Sequence, residues 1–299
     1  MTGKHGSDAT VAVPQTAVED LAVDRNLDRI RERVAALPAR VDIAVFPEDA
    51  LTGFVADDRI VDAALARETA LDRLSSVVED QGVSVVAGYA ERGGDGEPGE
   101  LYNATAYVPA AERDGGDLDG RESAVYRKRH LWGDERDRVT AGSERVIADT
   151  PAGSTGLLTC YDLNFVAESA WFTERAVDAL FVPGAWPAAH AANWRLLLRA
   201  RALDGVRWVV GAGRTGAVGR HGGDSGGVGA SDAGPRGSTS DGSDDGDAHE
   251  YAGNSLVAGP DGRVIAELGR CERDLIATLD RERLDAQREL VGSVAATKK

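Results

Sequence analysis

The chain has 299 residues, 42% of them hydrophobic, and a formal net charge of −16, which favours an acidic globular protein with a sizeable core. It contains no basic stripe that could neutralise phosphates, so the sequence argues against a nucleic-acid partner. Arginine supplies most basic residues, and lysine occurs only at positions 4, 128, 298 and 299. Such an acid excess is typical of proteins kept soluble in high salt, so a halophilic source is a hypothesis from composition.

The cysteine usage and the N-terminal sequence indicate a cytoplasmic protein. Cys160 and Cys271 lie far apart, with no C-x-x-C motif and no dense cysteine framework, as expected in a reducing compartment. Residues 1–10 lack the apolar segment of a signal peptide. No run approaches the roughly 20 apolar residues of a membrane span. We therefore predict that the protein binds no membrane.

Apolar strand-like runs alternate with helical periodicities in the first half of the chain. Leu27, Ile30, Val34 and Leu37 recur at helical spacing, with charged residues between them. Two helices are predicted, over 23–37 and 57–80, and five strands, over 9–13, 41–46, 83–89, 102–108 and 123–127.

The second half begins with an apolar run that ends at Cys160. Helices are predicted over 166–179 and 193–203, and strands over 179–183, 208–212, 255–258, 263–267 and 275–279. Residues 216–249 are almost entirely Gly, Ser, Asp and Ala, a composition that cannot bury a core, so we expect a flexible surface insertion. The pattern predicts an α/β fold with a mixed sheet, as a single domain over 9–280 with a C-terminal tail, 281–299.

Three side chains whose chemistry suits catalysis each follow a predicted strand: Glu48, Lys128 and Cys160. An α/β sheet presents residues at such positions to a crevice. Together they suit acyl transfer, in which Cys160 attacks a carbonyl or nitrile carbon, Glu48 moves the proton and Lys128 stabilises the oxyanion. Lys128 stands out because the interior of the chain otherwise uses arginine, which cannot replace a compact ammonium in a confined site.

Each of these residues also has a simpler interpretation. Cys160 could be a small buried hydrophobe, Glu48 an acid at a helix N-terminus and Lys128 a solvated charge. If Cys160 is the nucleophile, the free N–H groups of the following helix start predict a stabilised thiolate. His130, beside the lysine, is either a second base or a structural hydrogen-bonding residue, and we favour the latter. No His, Cys or Asp cluster has metal-ligand spacing.

Three motifs occur in order along the chain. They are Val-Phe-Pro-Glu at 45–48 with Leu-Thr-Gly-Phe at 51–54, Tyr-Arg-Lys-Arg-His-Leu-Trp at 126–132, and Cys-Tyr-Asp-Leu-Asn-Phe at 160–165. Pro-Gly-Ala-Trp-Pro at 183–187 and Tyr-Ala-Gly-Asn-Ser at 251–255 accompany them. With these motifs the chain resembles the nitrilase superfamily, the carbon–nitrogen hydrolases, outside its tails and residues 216–249.

The resemblance implies a four-layer α-β-β-α sandwich that forms a homodimer or a higher homo-oligomer. It also implies a Glu48–Lys128–Cys160 triad that works without a cofactor or a metal.

Five further residues are candidates for the site. The resemblance places a second active-site glutamate at Glu135, although Glu135 could also be a solvated member of the charged run 134–137. The N–H of Tyr161 is expected in the oxyanion hole, and Trp132, Trp186 and Ala185 in the substrate-binding pocket. The two tryptophans could equally belong to the core.

Two departures from the family pattern border the expected pocket. Asn164-Phe165-Val166-Ala167-Glu168 stands where many members have Arg-Phe-Pro-Glu after Cys-Tyr-Asp-Leu, and Gly213-Arg214 stands where an Asn-Arg pair is frequent. We predict hydrolysis of a non-peptide carbon–nitrogen bond in a small linear amide or N-carbamoyl compound, through a cysteine thioester that water resolves. Nitrile hydrolysis and a catalytically vestigial binding or scaffold protein are the alternatives.

Overall fold

The computed structural model describes residues 8–93, 99–111, 121–217 and 250–292. These ranges contain six α-helices: α1 (Val23–Ala35), α2 (Ile60–Ala63), α3 (Arg67–Gln81), α4 (Val166–Glu174), α5 (Ala191–Gly205) and α6 (Arg281–Val291). They also contain twelve strands: β1 (Ala9–Gln15), β2 (Ile43–Val45), β3 (Ser84–Arg92), β4 (Leu101–Val108), β5 (Ala124–Arg127), β6 (Val146–Thr150), β7 (Gly153–Leu157), β8 (Ala179–Gly184), β9 (Trp208–Gly213), β10 (Leu256–Ala258), β11 (Val264–Glu267) and β12 (Arg273–Leu279).

The strands form two six-stranded sheets. Their orders are β12-β1-β2-β3-β4-β5 and β11-β10-β9-β8-β7-β6. Each sheet has three central parallel strands, β1 to β3 in the first and β7 to β9 in the second, flanked by antiparallel partners. The sheets are therefore mixed, as the strand–helix alternation predicts.

Alternate residues of the first sheet face two different cores. Val11 and Val13 share a buried cluster with the second sheet, whereas Ala12 and Ala44 pack with α1 and α3. On the far side of the second sheet, Phe172 of α4 lies so close to Gly156 that an added Cβ there would be 2.6 Å from its ring. Burial on both faces explains why the strands are continuous apolar runs. The predicted single-domain α-β-β-α sandwich is confirmed.

Three local expectations differ from the structure. The helix expected over 57–80 is two helices, because Leu65 between them bonds to the edge of β3 through its N–H to Ala90 (3.0 Å) and its carbonyl to Arg92 (2.8 Å). Strand β6 was not expected; it forms a hairpin with β7. The segment after Asp280, expected as a tail, begins with α6, whose N-terminus is capped by the Asp280 carboxylate and whose Leu284 is buried.

Most of the expected insertion, residues 218–249, lies outside the described residues. Its flanking residues Ala217 and Glu250 pair as an isolated β-bridge, which holds these two positions side by side. Within the described ranges, no helix is both long and apolar enough to cross a membrane.

Candidate active site

A buried charged cluster lies at one end of the two sheets. The Lys128 Nζ, directly after β5, is 2.8 Å from Oε1 of Glu48 and 2.7 Å from Oε2 of Glu135. Lys128 and Glu48 are each 2% exposed, and Glu135 is 9% exposed. Charges buried to this degree are costly unless they are paired, and here one ammonium pairs with two carboxylates. The fold thus brings three of the predicted catalytic residues into contact.

The position of Glu48 depends on a close backbone approach. The loop after β2 that carries Glu48 lies against Gly88 of β3, where an added Cβ would be 2.4 Å from the backbone nitrogen of Asp49. A side chain at residue 88 would therefore push the loop away from Lys128. Glycine is the residue that lets two backbones approach this closely.

Cys160 meets this cluster from the second sheet. It is the first residue of a 3₁₀ helix, Cys160–Asn164, and has a left-handed φ of 50°. Its thiol lies next to the Glu48 carboxylate and the backbone N–H of Ala185, and both groups act on its ionisation. A left-handed backbone at a non-glycine residue is uncommon and costs free energy, and such residues cluster at functional sites.

The protonation states follow from burial and from these neighbours. Burial and the negative charge of Glu48 raise the pKa of the Cys160 thiol well above its usual value, so the expected resting thiolate is wrong. Burial opposes ionisation of Glu48, but the Lys128 charge and the hydrogen bonds from Lys128, Cys160 and an amide lower its pKa nonetheless. Burial likewise opposes the charged form of Lys128, yet the surrounding anionic groups raise its pKa. The resting site is thus a thiol beside a carboxylate base.

A second buried carboxylate, Asp162, ties the cysteine turn to the lysine strand. Its Oδ2 accepts hydrogen bonds from the Thr159 N–H (3.0 Å) and the Tyr126 hydroxyl (2.7 Å). Its Oδ1 accepts one from the His130 N–H (3.0 Å) and lies 2.9 Å from the His130 Nδ1. The His130 ring also stacks on Phe165, with ring centroids 3.6 Å apart. His130 therefore makes structural contacts, as we favoured.

The sequence analysis did not identify Asn103, which lies within β4. Its Nδ2 donates to Oε1 of Glu48 (2.8 Å) and to Oε1 of Glu135 (2.7 Å), so one amide bridges both carboxylates. A signal was available, because an asparagine inside an otherwise apolar strand must find partners when it is buried. The sequence alone did not indicate which partners these would be.

We expect Asn103→Leu to move the acid limb of the pH profile of kcat/KM to higher pH. The Asn103 amide is one of the groups that hold the pKa of Glu48 below its ordinary 4.5, so its loss raises that pKa. In its predicted role as the base, Glu48 must be ionised to accept a proton, and we therefore expect activity to be lost at a higher pH as the solution is acidified. Rates measured between pH 4 and 8 would show the shift.

A matched control is Tyr107→Phe, which removes a buried hydroxyl two pleats away on the same face of β4. It should leave the acid limb in place. An unchanged limb in a folded Asn103→Leu variant would show that the amide does not act on Glu48.

A cavity of about 160 Å³ opens beside Cys160. It is lined by Trp132, Cys160, Tyr161, Asn164, Ala185, Trp186, Pro187, His190 and Asn193. Trp132, Trp186 and Ala185, predicted for the substrate-binding pocket, and Tyr161, predicted for the oxyanion hole, are all in this lining. The volume is small compared with the pockets that hold drug-sized ligands, so it suits a small molecule. In the part of the chain that the structure describes, no group of three or more His, Cys, Asp or Glu side chains is arranged to hold a metal ion.

Two amidases are similar in sequence to this chain over most of its length. An (R)-stereoselective amidase of a Pseudomonas species is 28% identical over 279 residues, which cover 93% of this chain and 87% of that protein. The 2-oxoglutaramate amidase of Bacillus subtilis is 28% identical over 84% of this chain and 82% of its own length.

Solved structures share the fold. Nit3 of Saccharomyces cerevisiae, a member of the nitrilase superfamily, superposes with a TM-score of 0.75 at 21% identity and covers 100% of this chain and 98% of its own. An amidase of a Nesterenkonia species has a TM-score of 0.70 at 21% identity, with 96% of each chain covered, and in that mutant structure the active-site cysteine carries the acetamide moiety of fluoroacetamide. The family model for carbon–nitrogen hydrolases matches residues 10–289, nearly the whole chain, and the chain therefore belongs to this family of hydrolases.

Proposed function

We propose that this carbon–nitrogen hydrolase is a thiol amidase that cleaves a small linear amide or an N-carbamoyl compound. One observation carries the proposal: the Cys160 thiol lies beside Glu48, whose carboxylate is held by Lys128 at 2.8 Å, at the wall of a small cavity. The relatives named as amidases support the choice of substrate class.

The first half-reaction acylates the cysteine. As the Cys160 sulfur bonds to the amide carbon, Glu48 takes the thiol proton, so no free thiolate is needed beforehand. The resulting tetrahedral intermediate collapses when its carbon–nitrogen bond breaks. Glu48 gives the proton to the departing nitrogen, which leaves as ammonia or an amine, and the acyl group remains on sulfur as a thioester.

The second half-reaction releases the acid. Glu48, again a carboxylate, takes a proton from water as the water oxygen adds to the thioester carbon. The carbon–sulfur bond then breaks, the proton returns to sulfur, and the carboxylic product departs. The same base thus serves both halves, and its lowered pKa keeps it ionised at neutral pH.

Charge on the reacting oxygen is stabilised by Lys128 and by the N–H of Tyr161, the residue after the nucleophile. Glu135 is assigned the positioning of Lys128, because its two oxygens lie 2.9 and 2.7 Å from the Lys128 Nζ. Oε2 of Glu135 also accepts the Trp132 N–H (2.8 Å), which fixes this carboxylate beside the pocket wall. The homodimer and the cytoplasmic location stay predictions.

A screen for ammonia release at high salt tests the proposed function. It would offer small amides, ω-amides of dicarboxylates, N-carbamoyl amino acids and nitriles, with Cys160→Ala as the blank. We expect release from amides or carbamoyl compounds in the native enzyme and none in the blank. Release from nitriles alone would replace the amidase assignment with a nitrilase, and an inert protein with an unreactive thiol would favour the binding or scaffold alternative.

A further inference from the structure

We infer that this site selects amides whose non-reacting part is uncharged and apolar, and discriminates against amides that carry a carboxylate. The inference rests on the proposed function and narrows its substrate class. It excludes as preferred substrates the ω-amides of dicarboxylic acids and the N-carbamoyl amino acids.

The lining of the cavity is mostly aromatic and amide in character, and its one basic side chain, His190, is exposed. Trp132, Tyr161 and Trp186 contribute rings, and the side chains of Asn164 and Asn193 are uncharged amides. Among the described lining residues there is no arginine or lysine. Aromatic walls gain free energy by covering apolar surface, whereas a carboxylate placed against them would lose its hydration without gaining an arginine or lysine partner.

The one lysine near the cavity is already neutralised. Lys128 pairs with both Glu48 and Glu135, and Cys160 is a thiol, so the catalytic centre has two carboxylates around one ammonium. A substrate carboxylate within a few ångströms of this centre would meet a net negative charge in a partly desolvated space, where like charges repel more strongly than in water. The formal charge of −16 on the chain acts in the same direction.

The arginines near these elements are also engaged. Arg129, next to the lysine, and Arg145 both form ion pairs with the buried Glu168. Arg214, at the end of β9, pairs with the buried Asp20 at 2.7 Å. Recruiting Arg214 to a substrate would leave the buried Asp20 without its arginine, which is strongly destabilising, and recruiting Arg129 or Arg145 would remove one of the two arginines that pair with the buried Glu168.

Position 164 allows a positive charge to be introduced into the cavity lining. Asn164 lies on the cavity wall, four residues after the nucleophile, and its amide makes a long 3.3 Å contact with the Tyr161 carbonyl. An arginine here would place a guanidinium beside the bound substrate, and guanidinium groups bind carboxylates in a bidentate manner. The asparagine is therefore assigned the role of keeping the pocket neutral.

The test compares two amides of equal shape, glutaramate and 5-methylhexanamide, in which an isopropyl group replaces the carboxylate. We expect the native enzyme to show a kcat/KM at least about 100-fold higher for the neutral amide at fixed ionic strength. In Asn164→Arg this ratio should fall at least about tenfold, through a gain for glutaramate. Asn164→Gln is the matched neutral control, and its ratio should remain that of the native enzyme, whatever its absolute rate.

A native ratio near one, or a preference for glutaramate, would overturn the inference while leaving the amidase assignment intact. A folded Asn164→Arg variant with an unchanged ratio would also overturn it, because charge at the lining would then not set selectivity. If that variant does not fold, the native ratio decides alone. Hydrolysis of neither amide, nor of any amide in the wider screen, would instead count against the proposed function itself and remove the inference with it.

Discussion

Cys160→Ala is expected to lower kcat for amide hydrolysis by at least about 10⁴-fold, the scale of loss seen when a catalytic nucleophile is removed. The sulfur of Cys160 forms the covalent bond in our proposal, and the other cysteine, Cys271, is exposed. Glu48 and Lys128 would remain in place but would have no group to activate. Initial rates of ammonia release at saturating substrate measure the loss.

The same variant should keep its fold. Alanine can occupy the left-handed φ of 50° at residue 160 about as well as cysteine, and only one buried sulfur atom is removed. The thermal midpoint should therefore change little, and Cys271→Ala serves as the matched cysteine control with native activity. More than a tenth of the native rate in Cys160→Ala would contradict the thioester mechanism.

Mass spectrometry gives a second, independent reading of the cysteine. With a slowly hydrolysed amide, the native enzyme should gain the mass of one acyl group on the peptide that contains residue 160. The Cys160→Ala enzyme should gain none. An acyl group found on any other residue would move the nucleophile elsewhere.

Lys128→Met is expected to damage both stability and catalysis. Removing the ammonium leaves Glu48 and Glu135 buried and facing each other without a cation, and loss of one partner from a buried ion pair typically costs about 3–5 kcal/mol. Loss of the positive charge at the oxyanion should lower kcat by about 10²–10³-fold. Urea unfolding and steady-state kinetics at pH 7 measure the two effects, and Lys128→Arg, which overfills the site, should be nearly as inactive.

The stability deficit should depend on pH. Because Lys128 lowers the pKa of Glu48, the native pair contributes stability above the unfolded pKa of about 4.5, and this contribution is lost as the pH falls through the lower folded value. In Lys128→Met the pKa of Glu48 rises, since its protonation relieves the repulsion between the two carboxylates. The difference between native and variant stability should thus shrink from pH 7 towards pH 4.

A second substitution separates stability from chemistry. Glu135→Gln in the Lys128→Met background removes one of the two unpaired charges, so it should restore part of the free energy of unfolding and none of the activity. Arg25→Ala, which breaks an exposed pair with Glu19, is the control and should change stability by no more than about 1 kcal/mol. Full activity in any folded Lys128 variant would exclude the oxyanion role.

Local sequence predicted most of the secondary structure. The strands that became β1, β3, β4, β8 and β9 were recognisable as apolar runs because they are buried on both faces, between a helical layer and the opposing sheet. Helix α1 was recognisable because its buried residues Leu27, Ile30 and Val34 recur at helical spacing. In both cases the signal comes from residues that are neighbours along the chain.

The boundaries of several helices were decided by contacts between segments that are distant in the sequence. Helices α2 and α3 are separate because Leu65, which lies between them, forms backbone hydrogen bonds with β3. Strand β3 comes only after α3 in the chain, so this partner is distant in sequence. Helix α6 forms in a polar segment because its Arg288 binds Asp178 at 2.8 Å and the carbonyls before β8. Neither partner can be identified from a local window of sequence.

The residues of the candidate active site also fall into those that local sequence predicts and those that only the structure shows. The sequence by itself was enough to predict Glu48, Lys128 and Cys160 as catalytic candidates, because their residue types, their places after strands and the motifs around them can be read locally. Only the tertiary structure revealed Asn103, which contacts carboxylates 55 and 32 residues away, and the burial and neighbouring charge that raise the pKa of the Cys160 thiol. The physical reason is that a pKa and a hydrogen-bond partner depend on burial and on the distances between charges, and both exist only after the two sheets have packed together.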